Sequence, residues 1–170
     1  MKGRCMKRRG FAVFYLTLYL GLLLPIFSSF GFEDPVLPDP QLTPGDTFDV
    51  TKEDICVPGY AKRVRDVPPA LKRKVYLRYG ILNPEPHHYE IDHLIPLGLG
   101  GSNSIKNLWP QSYWTSPWNA YLKDKLEYKL HKLVCLGIVD LKEAQQAIAT
   151  NWIEAYKKYM GIKLNKDSIH

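Results

Sequence analysis

The sequence predicts one α+β domain, mostly helical, assembled around a single small β-hairpin with a helix behind it. Three observations carry that expectation. The chain has 170 residues, 45% of them hydrophobic and 24% charged, with only 12 glycines, the range of one ordinary globular domain and not of a fibre or a disordered tail. Two long segments toward the C-terminus repeat apolar residues at helical spacing. Between them and the N-terminal half, one stretch leads β-branched and aromatic residues into a glycine-rich turn.

Residues 1–31 read as a secretory leader. Lys2, Arg4, Lys7, Arg8 and Arg9 precede an uncharged, mostly apolar run from Phe11 to Phe27. Ser29 and Gly31 stand two apart, as the small residues of a cleavage site do, which puts the cut after Gly31. The apolar run lies at the short edge of a bilayer span, so a retained anchor is the alternative. Pro25 and the small residues after it favour cleavage. The body is therefore expected in the periplasm or outside the cell, as a monomer without lasting membrane association. Cys5 leaves with the leader, and Cys56 and Cys135 remain as an even pair in a compartment that permits oxidation, so one disulfide between them is predicted.

Residues 32–50 contain Pro35, Pro38, Pro40 and Pro44 with scattered acids and few apolar side chains, and read as a linker. The folded domain is then 51–170. Pro68 to Tyr79 carries Leu71, Val75 and Leu77 or Tyr79 near helical spacing, with Gly80 as the stop, and predicts a short basic helix. Tyr89 to Gly101 predicts a strand entering an irregular loop, and Ile105 to Trp109 the returning strand. Ser116 and Pro117 open a predicted helix with Leu122, Leu126, Leu130, Leu133 and Val134 as its stripe. Asp140 and Glu143 form a capping box for a last helix that buries Ala144, Ala147, Ile148, Trp152 and Ala155 and stops at Gly161.

The formal charge of +6 is concentrated in the leader: with its five basic residues removed the chain carries 18 basic against 17 acidic residues, a net of +1. That excludes a protein that binds polyanions by total charge, so any affinity for nucleic acid must come from a local patch. Lys62, Arg63, Arg65, Lys72, Arg73, Lys74 and Arg78 face one acid, Asp66, between residues 62 and 78, and supply such a patch. Arg63 and Arg65, in a segment read as extended, are candidates to hold a scissile phosphate. A solvated helix face is the competing reading of the lysines.

The run with most chemical content is Asp92-His93 at a strand end, then a glycine-rich loop, Asn103, Asn107 and Asn119. On an extended backbone neighbouring side chains point to opposite faces, so a carboxylate can ligate a metal while the imidazole activates water. Such a pair suits hydrolysis of phosphodiesters. His87 and His88 would point apart on a strand and read as a polar approach to it. Of the aromatic cluster Trp109, Tyr113, Trp114 and Trp118, Trp109 reads as core.

The string DHLIPLGLGGSNSIKNLWPQ resembles the His-Asn-His (HNH, ββα-metal) endonuclease family, whose core is a two-stranded hairpin and a helix clamping one divalent metal. From Cys56 to Tyr159 the chain also looks like small exported bacterial nucleases of this group, with CVPGY, DHLIPL, NLWPQ and KDKLE in that order. The resemblance implies His93 as general base, Asp92 as metal ligand, and Asn107 as the amide that ties the loop and orients the histidine. Asn103, the competing choice, reads as a turn residue. The third family position is usually a helical histidine and is absent here; Asn119 is the nearest substitute as a metal ligand. Asn119, Lys123 and Glu127 fall at i, i+4 and i+8, so Glu127 could support metal-bound waters and Lys123 a phosphate, against a solvated salt-bridging face as the reading given more weight.

The function these residues imply is a metal-dependent endonuclease acting on DNA, with RNA as a further substrate, at low sequence specificity. Mg²⁺ is the expected cofactor, with Mn²⁺ and Ca²⁺ as alternatives. The rival expectation is a non-catalytic, exported nucleic-acid-binding or envelope interaction protein with a degenerate core of the same kind.

Overall fold

The computed structural model describes residues 34–161. The predicted leader, 1–31, lies outside them. The order of elements is α1 (Lys52–Ile55), α2 (Tyr60–Val64), α3 (Pro69–Arg78), β1 (Tyr89–His93), β2 (Leu108–Ser112), α4 (Ala120–Cys135) and α5 (Leu141–Met160), with single 3₁₀ turns at Leu97–Leu99 and Ile105–Asn107. This is an α+β fold: one antiparallel hairpin followed by two long helices. Among the described residues no helix is long and apolar enough to cross a membrane.

In the hairpin Asp92 sits opposite Trp109 and His93 opposite Leu108. The returning strand begins three residues later than expected, because Ile105–Asn107 close a 3₁₀ turn capped by the Ser104 side chain. The loop between the strands is held by close backbone approach at Gly101, where a Cβ would stand 1.7 Å from the Ile95 carbonyl oxygen. Only glycine fits there.

The core lies between α4, α5 and the 3₁₀ turn Leu97–Leu99. Leu99, Leu126, Leu130, Leu133, Ile148 and Trp152 are all fully buried in it. The apolar stripe expected of α4 is buried from Leu126 to Val134, whereas Leu122 is half-exposed. The helix starts at Ala120, not at Ser116-Pro117, because the Asn119 side chain supplies the N-cap by accepting from Leu122 N at 3.2 Å. Asp140 caps α5 through the backbone N–H groups of Lys142 and Glu143. Glu143 does not return that bond; its carboxylate reaches Lys158 and Tyr159 instead. At Asn151 the backbone leaves the helix, and its Oδ1 caps a fresh start by accepting from Ile153 N and Glu154 N.

One sequence expectation is changed by packing. The stretch 32–50 does not behave as a linker from Asp34 onward. Trp152 donates its indole N–H to Val36 O at 2.8 Å, buried Thr43 donates to Leu108 O at 3.0 Å, and Gly45 N reaches Lys106 O at 3.0 Å. The prolines restrict a strap that makes one turn of its own, with Leu42 N and Thr43 N bonded to Asp39 O, and that otherwise finds partners on the body. Asp34, at its start, takes hydrogen bonds from His88 and Tyr89, and these bonds outweigh partial burial to hold its carboxyl below the usual range. His88 is thereby fixed, stacked between Tyr89 and Trp114 at 4.2 and 4.8 Å. The predicted disulfide is present: Cys56, at the end of α1, is bonded to Cys135, at the end of α4, with Cα atoms 5.7 Å apart.

Candidate active site

His93 ends β1 and is 3% exposed. Its Nε2 lies 3.1 Å from Asn103 Oδ1. The amide of Asn103 cannot be turned round, because its Nδ2 donates to Val64 O at 2.7 Å, a partner that only accepts. Oδ1 must therefore accept from the imidazole, which places the ring proton on Nε2 and leaves a lone pair on Nδ1. Burial pushes the His93 pKa below the ordinary histidine value, with Arg65 and Lys123 adding to the effect and Asn103 and Asp92 opposing it. A neutral ring with a fixed tautomer is the form a general base needs.

Asp92 points to the other face, beside Lys123. The Lys123 ammonium is fully buried and lies 2.6 Å from Asp92 Oδ2 and 2.5 Å from Glu127 Oε1, and it donates to His93 O at 2.8 Å. Burial favours the neutral amine, but the two carboxylates outweigh it and hold the Lys123 pKa above that of an ordinary lysine. More carboxylates gather here than one ammonium can balance. Burial pushes Glu90 up to about 7, with Asp92 adding to the shift and the Tyr113 hydroxyl, which donates to its Oε2 at 2.8 Å, opposing it. Asp124 and Glu127 are also raised, by burial first and then by Asp92. The other Glu90 oxygen, Oε1, is buried without a partner.

An all-oxygen donor set with excess negative charge fits a hard divalent cation such as Mg²⁺. Asp92 would have one oxygen to offer, the other being engaged by Lys123. Asn119 Oδ1 already accepts the helix cap, which leaves one of its two lone pairs.

The remaining sequence candidates divide clearly. Lys123 is neither a phosphate contact nor part of a solvated face, because its fully buried ammonium is held by the Asp92 and Glu127 carboxylates and the His93 carbonyl. Asn107 ties the loop and is fully buried: it accepts from Ile95 N and donates to Ile95 O and Ser102 O, each at 2.9 Å. The side chain that contacts the histidine is Asn103, not Asn107. Arg63 lies in α2 and not in an extended segment, and its guanidinium braces Pro58 O at 2.8 Å. Arg65 follows that helix in extended backbone, is exposed, and is close enough to bias both His93 and Asp124. Lys72 and Arg73 are exposed on α3.

A cleft of about 340 Å³ opens beside this cluster, with Arg65, Asp124 and Glu127 among its lining residues and Cys56 and His131 among the others. Along α4 the polar positions Asn119, Lys123, Glu127, His131 and Cys135 recur every four residues and form one stripe from the cap to the disulfide. Sequence reasoning followed that stripe only to Glu127. It also missed Glu90, two residues before Asp92 and so on the same strand face.

No protein-family model, curated protein or solved structure matches the chain. Any functional reading therefore rests on the residues and their geometry.

Proposed function

We propose that the protein is an exported, metal-dependent endonuclease that hydrolyses phosphodiester bonds of DNA, and of RNA as a second substrate, through a ββα-metal core. The observation that supports it most is His93, buried and neutral, with its Nε2–H held by Asn103 and Nδ1 free to take a proton. In this reading His93 Nδ1 removes the proton from the attacking water. Asp92, with Asn119 through its remaining lone pair, holds one divalent metal, Mg²⁺ by the hardness of the oxygen donors. Such an ion, when bound, supplies charge stabilisation at the phosphoryl oxygens and the leaving group. Lys123 fixes Asp92 in place, and exposed Arg65 holds the phosphate. Lys72 and Arg73 extend the basic surface for the nucleic-acid backbone.

The test is incubation of supercoiled plasmid with the purified chain in magnesium, with and without EDTA. Cleavage that the chelator abolishes is expected. His93→Ala should keep its fold and metal affinity while losing roughly 100-fold or more in rate. Asp92→Ala should be partly rescued by extra magnesium, and His93→Ala should not. A His93→Ala variant that cuts as fast as the parent ends this mechanism.

One observation favours a second reading, a non-catalytic nucleic-acid-binding protein: the buried Lys123 ammonium already occupies a cation position between Asp92 and Glu127. Binding of DNA in EDTA with no cleavage in magnesium would select that reading.

A further inference from the structure

The far end of the α4 stripe brings together three soft-metal donors that the nuclease reading does not use. One ligand atom each from Cys56, His131 and Cys135 all lie within 4.8 Å of one another, and all three residues are half-buried. His131 and Cys135 are at i and i+4 on one helix, the spacing that lets two side chains grip one ion. His131 Nε2 lies 3.6 Å from Cys135 Sγ and 3.1 Å from Ile55 O. In the oxidised protein the two sulfurs are bonded to each other and offer no thiolate.

We propose that Cys56, His131 and Cys135 form a redox-gated zinc site: closed as the disulfide, and open as a Cys₂His site when the bridge is reduced. Reduction takes two electrons and two protons from a dithiol, which is left as its own disulfide. The two thiols then lose both protons to bind Zn²⁺, and His131 binds through Nε2 once its ring proton has moved to Nδ1. Zinc bonds of about 2.3 Å to sulfur and 2.0–2.1 Å to nitrogen put tetrahedral ligand atoms about 3.5 Å apart. The Cα separation of 5.7 Å lets the sulfurs part to that distance by side-chain rotation. Cys56 and His131 both line the cleft, so the fourth position opens onto it and takes water or a small ligand, as three-ligand zinc sites do. Reoxidation of the thiols expels the ion.

The inference stands apart from the nuclease reading and fails separately from it. The purified chain is reduced with a water-soluble phosphine, which is converted to its oxide, and titrated with Co²⁺ and then with Zn²⁺ against a chromophoric chelator. One equivalent of cobalt with the visible absorption of a tetrahedral thiolate site is expected for the reduced chain, and none for the oxidised chain. His131→Ala should weaken zinc binding by roughly tenfold or more in the reduced form. Equal binding by oxidised and reduced chains overturns the proposal, as does equal binding by reduced His131→Ala and reduced parent. If reduction unfolds the chain, zinc must restore the helical circular dichroism spectrum; failure to do so also overturns it.

Discussion

The Lys123 ammonium stands 2.6 Å from the Asp92 carboxylate, with the two side chains 1% and 11% exposed. A charge pair so withdrawn from water survives only because each member compensates the other, and Glu127 shares the same ammonium. Lys123→Met should therefore leave two carboxylates together without a cation and cost about 3–5 kcal/mol. The urea midpoint should fall while the slope stays constant. Combining Lys123→Met with Asp92→Asn and Glu127→Gln should recover most of the loss. A single Lys123→Met variant as stable as the parent would remove the compensation argument.

Asn103 and Asn107 should separate function from folding. Asn107→Ala strands the Ile95 amide and two carbonyls in a fully buried loop and should lower stability by roughly 2–4 kcal/mol, read by thermal melting. Asn103→Ala should melt close to the parent yet hydrolyse DNA at least about tenfold more slowly, since it frees the His93 ring. The reverse pattern would return the orienting role to Asn107.

With His93 as the general base of the proposed reaction, the pH dependence of the rate follows from its burial. Its pKa is depressed below the ordinary 6.5, so the neutral base persists as the pH falls through that value. The rate should hold from about pH 8 past 6.5 and decline only at lower pH, with the metal kept saturating. An acid limb centred above 6.5 contradicts this.

Glu90 should set a pH-dependent stability term of opposite sense. The folded state keeps the Glu90 proton up to about pH 7, while the unfolded chain releases it near 4.5. The resulting stabilisation is complete below 4.5 and is lost as pH rises through 7. Glu90→Gln should consequently gain on the parent by about 1 kcal/mol or more between pH 5 and pH 8. Parallel melting curves at the two pH values would show that Glu90 ionises normally.

The proline strap offers a plainer test. A chain that begins at residue 51 loses the bonds from Trp152 to Val36, Thr43 to Leu108 and Gly45 to Lys106. Each such bond contributes about 1 kcal/mol, so the shortened chain should denature at clearly lower urea than one beginning at Asp34. Equal midpoints would make 34–50 the linker that its composition suggests.

What could be read from the sequence follows the physics of each signal. The hairpin, the helices α3, α4 and α5 and the Cys56–Cys135 bridge were legible, because a β-branched and aromatic run into a glycine-rich turn, helical spacing and cysteine parity are local or countable, whereas the short α1 and α2 gave no such signal. The strap was not, since Pro35 to Pro44 carry no periodicity and are held in part through backbone atoms that every residue possesses, as at Val36 O, and in part through the hydroxyl of Thr43, which nothing in the local sequence marks as buried. Lys123 and Glu127 at i, i+4 look the same on a wet face as in a buried cluster; only the approach of Asp92 from the hairpin decides between them. Asn103 and Asn107 differ for a similar reason. Both lie in a loop of turn-forming residues, and their partners, Val64 O for one and Ile95 for the other, are fixed by tertiary placement.

The Cys56–Cys135 bond closes a covalent ring spanning 79 positions, and that ring contains Arg65, Asp92, His93, Asn103 and Lys123. A peptide bond cut by a protease in an exposed connection, such as the turn at Leu82 and Asn83 between α3 and β1, would therefore open a circle without separating two pieces. The severed halves stay tethered at the base of α4, and re-docking of the hairpin remains an encounter within one molecule, independent of dilution. Oxidation thus gives the chain tolerance to nicking across the whole segment that carries the candidate site, and reduction withdraws it.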